Sequence, residues 1–285
     1  MATLLVLCRF LHFTVVLLMF GACAFRPWLL GKSPRPVLDR QLSRITRLLA
    51  WLALISAVIW LLLISASMAD TQLPALELST VQQVLSKTFF GKVWSLHLLL
   101  NMLLVLALFT SWTNVRLLLS AGLLVTLAPI GHGAMLDGSS GQLLILNQVV
   151  HLLCVGAWLG GLLVLGLIIR QPASDPLEAI LKRFSGLGYW LVAGLLITGL
   201  INIRVLTGQF WPTPLFSGFA LILLIKVLLV AGMLGLALLN RLRMRNCEQR
   251  LGSLQASVAM EWLLGVAAVA AVSLLGTLPP MLIAG

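Results

Sequence analysis

The chain has 285 residues, 60% of them apolar and 9% charged, and its formal net charge is +11. The apolar residues are gathered in long segments, which excludes a water-soluble globular domain and indicates a polytopic membrane protein. The basic residues lie in the connections between these segments, so the positive charge does not imply binding to nucleic acid.

Eight apolar segments predict eight transmembrane helices. In chain order they cover residues 4–25, 48–69, 93–113, 117–135, 142–169, 187–207, 217–239 and 257–278. Each can cross a hydrocarbon core of about 30 Å as a helix, and a helix satisfies its own backbone groups in lipid. We therefore predict an all-α fold, a membrane helix bundle that forms a single transmembrane domain over residues 1–285. The longest connections, 26–47 and 70–92, are too short for a separate soluble domain.

The basic residues alternate from one connection to the next. Arginine and lysine are concentrated in the connections around residues 26–47, 114–116, 170–186 and 240–256, and are sparse in the others. The positive-inside rule places the basic connections in the cytoplasm and both termini in the periplasm. The first segment is interrupted by Arg9 and is followed by the basic cluster, so we expect a membrane span there and no secretory signal.

The spacing of the cysteines and the lack of a nucleotide-binding motif exclude further classes of function. The four cysteines, Cys8, Cys23, Cys154 and Cys247, predict neither a disulfide framework nor a closely spaced dithiol metal site. The sequence contains no Walker motif, so we expect transport without ATP hydrolysis by this chain.

Histidines are confined to the predicted spans or their edges, in the outer half of the membrane or near its middle. They are His12, His97, His132 and His151. Buried ionisable groups are costly in lipid and often mark functional sites. Met135 follows His132 closely, and Met68 ends the second span at the same outer level. Imidazole and thioether ligands together suit copper, with sulfur favouring Cu(I); the alternative roles are hydrogen bonding between helices for histidine and apolar packing for methionine.

Four other charged residues fall within spans. Arg9 and Arg204 lie close enough to the surface for their side chains to reach it, whereas Lys226 lies deeper and has no acidic partner at its depth. Glu261, near the inner end of the last span, is predicted to pair with Arg241 or to cap the corner formed by Asn240 and Arg241.

The buried cations leave haem b open as an alternative cofactor. Two histidines from neighbouring helices would ligate the iron, and Arg9, Arg204 or Lys226 would neutralise the haem propionates. The protein would then be an oxidoreductase.

Several motifs together resemble the copper resistance protein D (CopD/PcoD) family of bacterial inner-membrane proteins. They are RFLHF at residues 9–13, GHGA at 131–134, HLLCVGAWLGG at 151–161, Lys226, the Asn240-Arg241 pair and Glu261. The resemblance implies a multi-pass protein of the bacterial cell inner membrane with a role in copper homeostasis, and a separate periplasmic copper-binding protein as partner. It also implies a ligand role for His12, His132 and His151, while His97 matches none of the motifs.

The predicted function is therefore copper transport rather than catalysis. Copper would bind first at His132 with Met135 and Met68, move to a deeper site of His151 and His12, and pass towards the cytoplasm while Lys226 tunes the electrostatics. Two alternatives remain at this point: a haem-b redox protein that reduces Cu(II) with electrons from quinones, and a non-transporting membrane partner of a periplasmic copper-binding protein.

Overall fold

The regular structure of the described residues is entirely helical. A computed structural model describes residues 2–31, 34–110, 112–130, 138–171, 177–209, 211, 216, 218–242 and 251–276. No β-strand occurs within these ranges. The predicted all-α fold is confirmed.

The described ranges contain nine α-helices and one short 3-10 turn at Leu73–Ala75. The helices are α1 (Ala2–Leu30), α2 (Pro36–Met68), α3 (Leu78–Lys87), α4 (Phe89–Ala107), α5 (Thr113–Leu127), α6 (Gly138–Ile169), α7 (Leu177–Thr207), α8 (Gly218–Leu242) and α9 (Leu251–Leu275). Seven of these, all except α3 and α5, are long and apolar enough to cross a membrane. The seven correspond to seven of the eight predicted spans.

The remaining predicted span, 117–135, overlaps α5, which has 15 residues. Residues 131–137 lie outside the described residues, so the eighth span stays a prediction. The course of α5 is nevertheless defined. Arg116 Nε donates to the carbonyl of Ala107 at 3.0 Å, and Thr126 Oγ1 lies 2.7 Å from His97 Nδ1. Because equal numbers of residues separate the two contacts on each helix, α4 and α5 form an antiparallel hairpin.

Several helices continue beyond the apolar segments that predicted them. The second begins at Pro36, well before residue 48, and proline is favoured in the first turn because its missing N–H has no partner there anyway. Arg26 holds this start against α1: its Nε and Nη2 atoms each lie 2.9 Å from a carboxylate oxygen of Asp39. Hydropathy detects only the part of a helix that lies in hydrocarbon, so it missed these extensions.

The first helix is the centre of the bundle. It packs against α2, α5, α6, α7 and α9. It approaches α6 closely, since a side-chain carbon added at Gly21 would lie 2.5 Å from Gly160 Cα. Glycines on both helices therefore let the two backbones touch, as is common between membrane helices.

The outermost helices are α7 and α8. The former packs mainly against α6 and the latter against α9. Large apolar side chains on both remain exposed, including Trp190, Leu200 and Leu228. In a bilayer these surfaces face lipid.

Candidate metal centre

The outstanding polar feature of the bundle is a direct contact between two buried histidines. His12 Nε2 on α1 lies 3.0 Å from His97 Nε2 on α4. The other ring nitrogens contact hydroxyl groups: His12 Nδ1 is 2.9 Å from Ser56 Oγ on α2, and His97 Nδ1 is 2.7 Å from Thr126 Oγ1 on α5. All four side chains are buried. Four helices thus contribute one polar group each to a single row.

The two hydroxyl groups orient the rings. Ser56 Oγ also lies 2.6 Å from the carbonyl four residues earlier, and Thr126 Oγ1 lies 2.9 Å from the carbonyl three residues earlier. When both hydroxyls donate to these carbonyls, each can accept an Nδ1–H, which leaves both Nε2 lone pairs facing each other. That state is electrostatically unfavourable unless a cation lies between the nitrogens. Without one, an Nε2–H of one ring donates to the other ring.

Two tryptophans enclose the pair. The Trp94 ring stacks on His97 with centroids 4.6 Å apart, and Trp60 meets His12 edge-on at 5.5 Å. Trp94 is fixed by a hydrogen bond from its Nε1 to the carbonyl of Ala57 at 2.9 Å. Both indoles are fully buried, so the pair lies in an apolar, water-excluding shell. Electrostatic interactions are strong in such surroundings.

The pair suits a small cation better than a haem. Two metal–nitrogen bonds of about 2.0 Å each require a nitrogen–nitrogen separation of roughly 4 Å for linear coordination, against 3.0 Å in the structure. A ring movement of about 1 Å would admit Cu(I), which accepts two ligands. A haem would also have to displace Trp60 and Trp94, so these residues do not fit it. Within the described residues, no group of three or more His, Cys, Asp or Glu side chains is placed to hold a metal.

Several members of this centre were not predicted. Ser56 and Thr126 are two of several hydroxyl residues in α2 and α5, so the sequence did not single them out. Cys8 lies beside them, donating from its thiol to the carbonyl of Ser56 at 3.4 Å. Asn101, one turn after His97, is fully buried, and its Oδ1 has no hydrogen-bond partner among the described residues.

His151 lies in a different polar group. Its Nδ1 is 2.8 Å from Thr198 Oγ1 on α7, and Asn147, one turn earlier, donates to Asn202 Oδ1 at 2.9 Å. Lys226 lies within electrostatic range of the His151 ring. The hydrogen bonding thus joins His12 to His97 and joins His151 to α7, and the joint site of His12 and His151 stays a prediction.

The two span arginines bind carbonyl groups at helix ends; Arg9 is half-buried and Arg204 is exposed. Arg9 Nη1 donates to the carbonyl of Gly276 at 2.8 Å, just after α9, and its guanidinium lies 5.6 Å from the Trp60 ring. Arg204 donates to the carbonyl of Gly208 at the end of its own helix. Because the carboxyl end of a helix carries partial negative charge, both guanidiniums are compensated there. Within the described ranges, Lys226 has no such hydrogen bond or ion pair.

Glu261 is held by neutral donors. Trp158 Nε1 donates to its Oε1 at 2.8 Å, and Asn240 Nδ2 lies 3.5 Å from its Oε2. Arg241 turns elsewhere, donating to Ser185 Oγ at 2.7 Å and covering the Tyr189 ring at 4.0 Å. Glu261 therefore approaches Asn240 of the predicted corner, and no ion pair with Arg241 occurs among the described residues.

The predicted outer ligands are less defined. Met68 is the last residue of α2 and is 57% exposed. His132 and Met135 lie outside the described residues.

Family models match most of the chain. The model described as "Copper resistance protein D-like, N-terminal domain" matches residues 1–142, and the one described as "Copper resistance protein D" matches residues 178–275. The chain belongs to the copper resistance protein D family. It is a copper resistance family membrane protein, and the N-terminal domain model covers both histidines of the buried pair.

Curated relatives agree with the family. The chain is 31% identical to "Inner membrane protein YebZ" of Escherichia coli (strain K12), over 95% of this chain and 97% of that protein. It is 25% identical to "Copper resistance protein D" of Pseudomonas syringae pv. tomato, over 97% of each chain. It is 27% identical to "Copper transport protein CutJ" of Bacillus subtilis (strain 168), over 70% of this chain and 38% of that protein. No solved structure matches the chain.

Proposed function

We propose that this protein binds Cu(I) between His12 and His97 and carries copper across the bacterial inner membrane towards the cytoplasm. The observation that carries the proposal is the buried imidazole pair, whose Nε2 atoms face each other while their Nδ1 atoms are held by hydroxyl groups. Such outer hydrogen bonds fix the ring orientation that a metal site needs. The family and the relative named as a copper transport protein support copper as the cargo.

The proposal includes eight membrane spans with both termini in the periplasm. The antiparallel hairpin of α4 and α5 supports α5 as the additional span, since it returns the chain to the side where α4 begins. The basic connections support the orientation. In this arrangement α1 and α4 both enter from the periplasm, so the His12–His97 pair lies in the outer half of the membrane. By their sequence positions at the outer ends of the second and fourth predicted spans, Met68, His132 and Met135 would receive copper from a separate periplasmic copper-binding protein.

His151 has a secondary role in this proposal. The nearby ammonium group of Lys226 repels a second cation, and no acidic partner of Lys226 is found in the described part of the chain. A copper ion therefore binds more favourably at the His12–His97 pair. His151 instead holds α7 to α6 through Thr198.

The test is Cu(I) binding by purified protein in competition with a chromogenic Cu(I) chelator. We expect the His12→Ala and His97→Ala variants each to lose affinity by more than about 100-fold, because loss of a ligand exceeds the 10–100-fold effect of losing an outer hydrogen bond. The matched control, His151→Ala, should stay within about threefold of the wild type.

Cellular copper accumulation should follow the same order in variants that reach the membrane in equal amounts. Unchanged affinity and accumulation in a His12→Ala, His97→Ala double variant would overturn the proposal. A Soret band in the purified wild-type protein, lost in that variant, would also overturn it in favour of a haem protein.

A further inference from the structure

We infer that copper leaves the His12–His97 pair along one face of α1 and is held next by Met19 and Cys23. This inference rests on the proposed function and specifies the inner part of its route. The face consists of Cys8, His12, Met19 and Cys23, and we call it the α1 ligand stripe. Residues of this kind bind Cu(I) in preference to harder cations.

The four side chains share a direction. At about 100° per residue, positions 8, 12, 19 and 23 of an α-helix fall within an arc of roughly 60°. His12 and Met19 are fully buried, Cys8 is buried and Cys23 is half-buried. Because α1 is the central helix, the stripe runs through the interior of the bundle and away from lipid.

Met19 and Cys23 already have the spacing of a two-ligand site. The Cys23 thiol lies 4.0 Å from the Met19 sulfur. Two metal–sulfur bonds of about 2.3 Å each span such a distance when they meet at roughly 120°. The observed sulfur–sulfur distance therefore matches that of a bent two-ligand Cu(I) site. Binding at Cys23 replaces the thiol proton, which is released to cytoplasmic water, and the copper keeps its oxidation state.

The stripe also has a ligand on the outer side of the histidine pair. Cys8 and His12 both contact Ser56, the thiol through the backbone carbonyl and the ring through the hydroxyl. A copper ion that reaches Cys8 is thus one helical turn from His12. The first transfer exchanges a sulfur ligand for a nitrogen ligand over a distance of about 6 Å along the helix.

The longest step is from the pair to Met19, about 10 Å along α1. Asn101 lies at an intermediate level, one turn beyond His97 on the parallel helix α4. Its buried Oδ1 lacks a hydrogen-bond partner in the described part of the chain. This unsatisfied oxygen is a polar acceptor for a cation in an otherwise apolar section.

The inner end of the stripe meets α5. Cys23 lies close enough to Ser120 and Arg116 to interact with both electrostatically. Arg116 belongs to a basic connection, which the positive-inside rule places in the cytoplasm. Copper at Cys23 is therefore close to the cytoplasmic surface.

The number of Cu(I) ions bound per chain tests this inference. We expect two for the wild type, and one for the Met19→Leu and Cys23→Ser variants, with the affinity of the remaining site unchanged. Copper accumulation in cells should fall at least about tenfold in both variants. The matched controls are Met233→Leu and Cys154→Ser, a buried methionine and a half-buried cysteine outside the stripe, which should bind two ions.

The outcomes separate this inference from the proposed function. The stripe is overturned, and the proposed function left intact, by the following result. The wild type binds one Cu(I) ion, His12→Ala loses it, and Met19→Leu and Cys23→Ser keep both this ion and full copper accumulation. Binding that is unaffected by His12→Ala and His97→Ala would overturn the proposed function. Copper X-ray absorption on a His12→Ala, His97→Ala double variant tests the stripe directly. Sulfur scattering in its spectrum that disappears when Cys23→Ser is added would support the stripe.

Discussion

The N-terminal region, α1–α5, and the C-terminal region, α7–α9, both contain buried histidine or charged residues but use them differently. In the first, His12 and His97 contact each other, and each also contacts a hydroxyl on another helix. In the second, Lys226 has no hydrogen bond or ion pair among the described residues, and Glu261 is bound by neutral donors. The N-terminal region thus joins its buried histidines to each other, whereas the C-terminal region holds Lys226 and Glu261 apart.

Packing is also closer in the N-terminal region than in the C-terminal region. Gly21 of α1 lies against the backbone of α6, whereas nothing lies within 4 Å of the position that a side-chain carbon would take at Gly235 of α8. The N-terminal region is therefore closely packed against α6, and α8 leaves open space at Gly235.

The largest expected effect of a single substitution comes from this packing difference. Gly21→Ala should lower stability by about 3 kcal/mol, because backbone atoms of α6 would have to move. Gly235→Ala is the matched control and should be neutral, or stabilising by up to about 1 kcal/mol through helix propensity. Thermal unfolding in detergent measures both. Equal melting temperatures for the two variants would show that α1 and α6 are not in close contact.

Removing the carboxylate of the C-terminal region should have the next largest effect. Glu261→Ala leaves the indole N–H of Trp158 buried without an acceptor, at a cost of about 2 kcal/mol. Glu178→Ala, which removes an exposed pair with Lys182, should cost less than about 0.5 kcal/mol. Neither change should alter Cu(I) affinity. A loss of copper binding in Glu261→Ala alone would mean that the two regions share one metal site.

Loss of a hydrogen bond that orients a histidine of the pair should lower Cu(I) affinity less than loss of the histidine itself. Ser56→Ala removes the hydroxyl that orients His12, and we expect about a tenfold loss of Cu(I) affinity. Ser273→Ala is the control, since this buried serine hydroxyl bonds to the Val269 carbonyl of its own helix. Chelator competition measures both. If the two variants bind alike, the Ser56 hydroxyl does not orient the ligand.

The smallest effect is expected from the isolated cation of the C-terminal region. Lys226→Met should change the Cu(I) affinity of the pair by less than about threefold, because the electrostatic partner of the lysine is His151, which belongs to the other polar group. The same titration measures it. A gain of more than tenfold would place Lys226 electrostatically next to the copper and contradict the separation of the regions.

Sequence reasoning predicted the elements better than their contacts. Hydropathy located the seven long helices, since the hydrocarbon core imposes a minimum apolar length. It could not tell that α1 and α4 are neighbours, and the expected partner of His12 was accordingly His151. His97 matched no motif, yet the structure places it against His12. The spacing of Cys8 and Cys23 predicted no dithiol site. They became candidate ligands only when the structure showed their contacts with Ser56 and Met19.

The cations show the same limit. Arg9 and Arg204 were expected to reach the membrane surface or a haem. Arg204 is exposed in the structure, and both side chains donate to carbonyl groups at helix ends, which the sequence did not predict. The depth of a residue in the membrane can be estimated from its position in the sequence. Its partner on another helix cannot, and the carbonyl of Gly276 at the end of α9 is such a partner for Arg9.

The most direct test of the central claim is copper X-ray absorption on purified protein loaded with one equivalent of Cu(I). We predict two nitrogen ligands with the outer-shell scattering of imidazole, lost in a His12→Ala, His97→Ala double variant and retained in His151→Ala. Imidazole scattering that persists in the double variant, or that disappears in His151→Ala, would contradict a copper site at the His12–His97 pair.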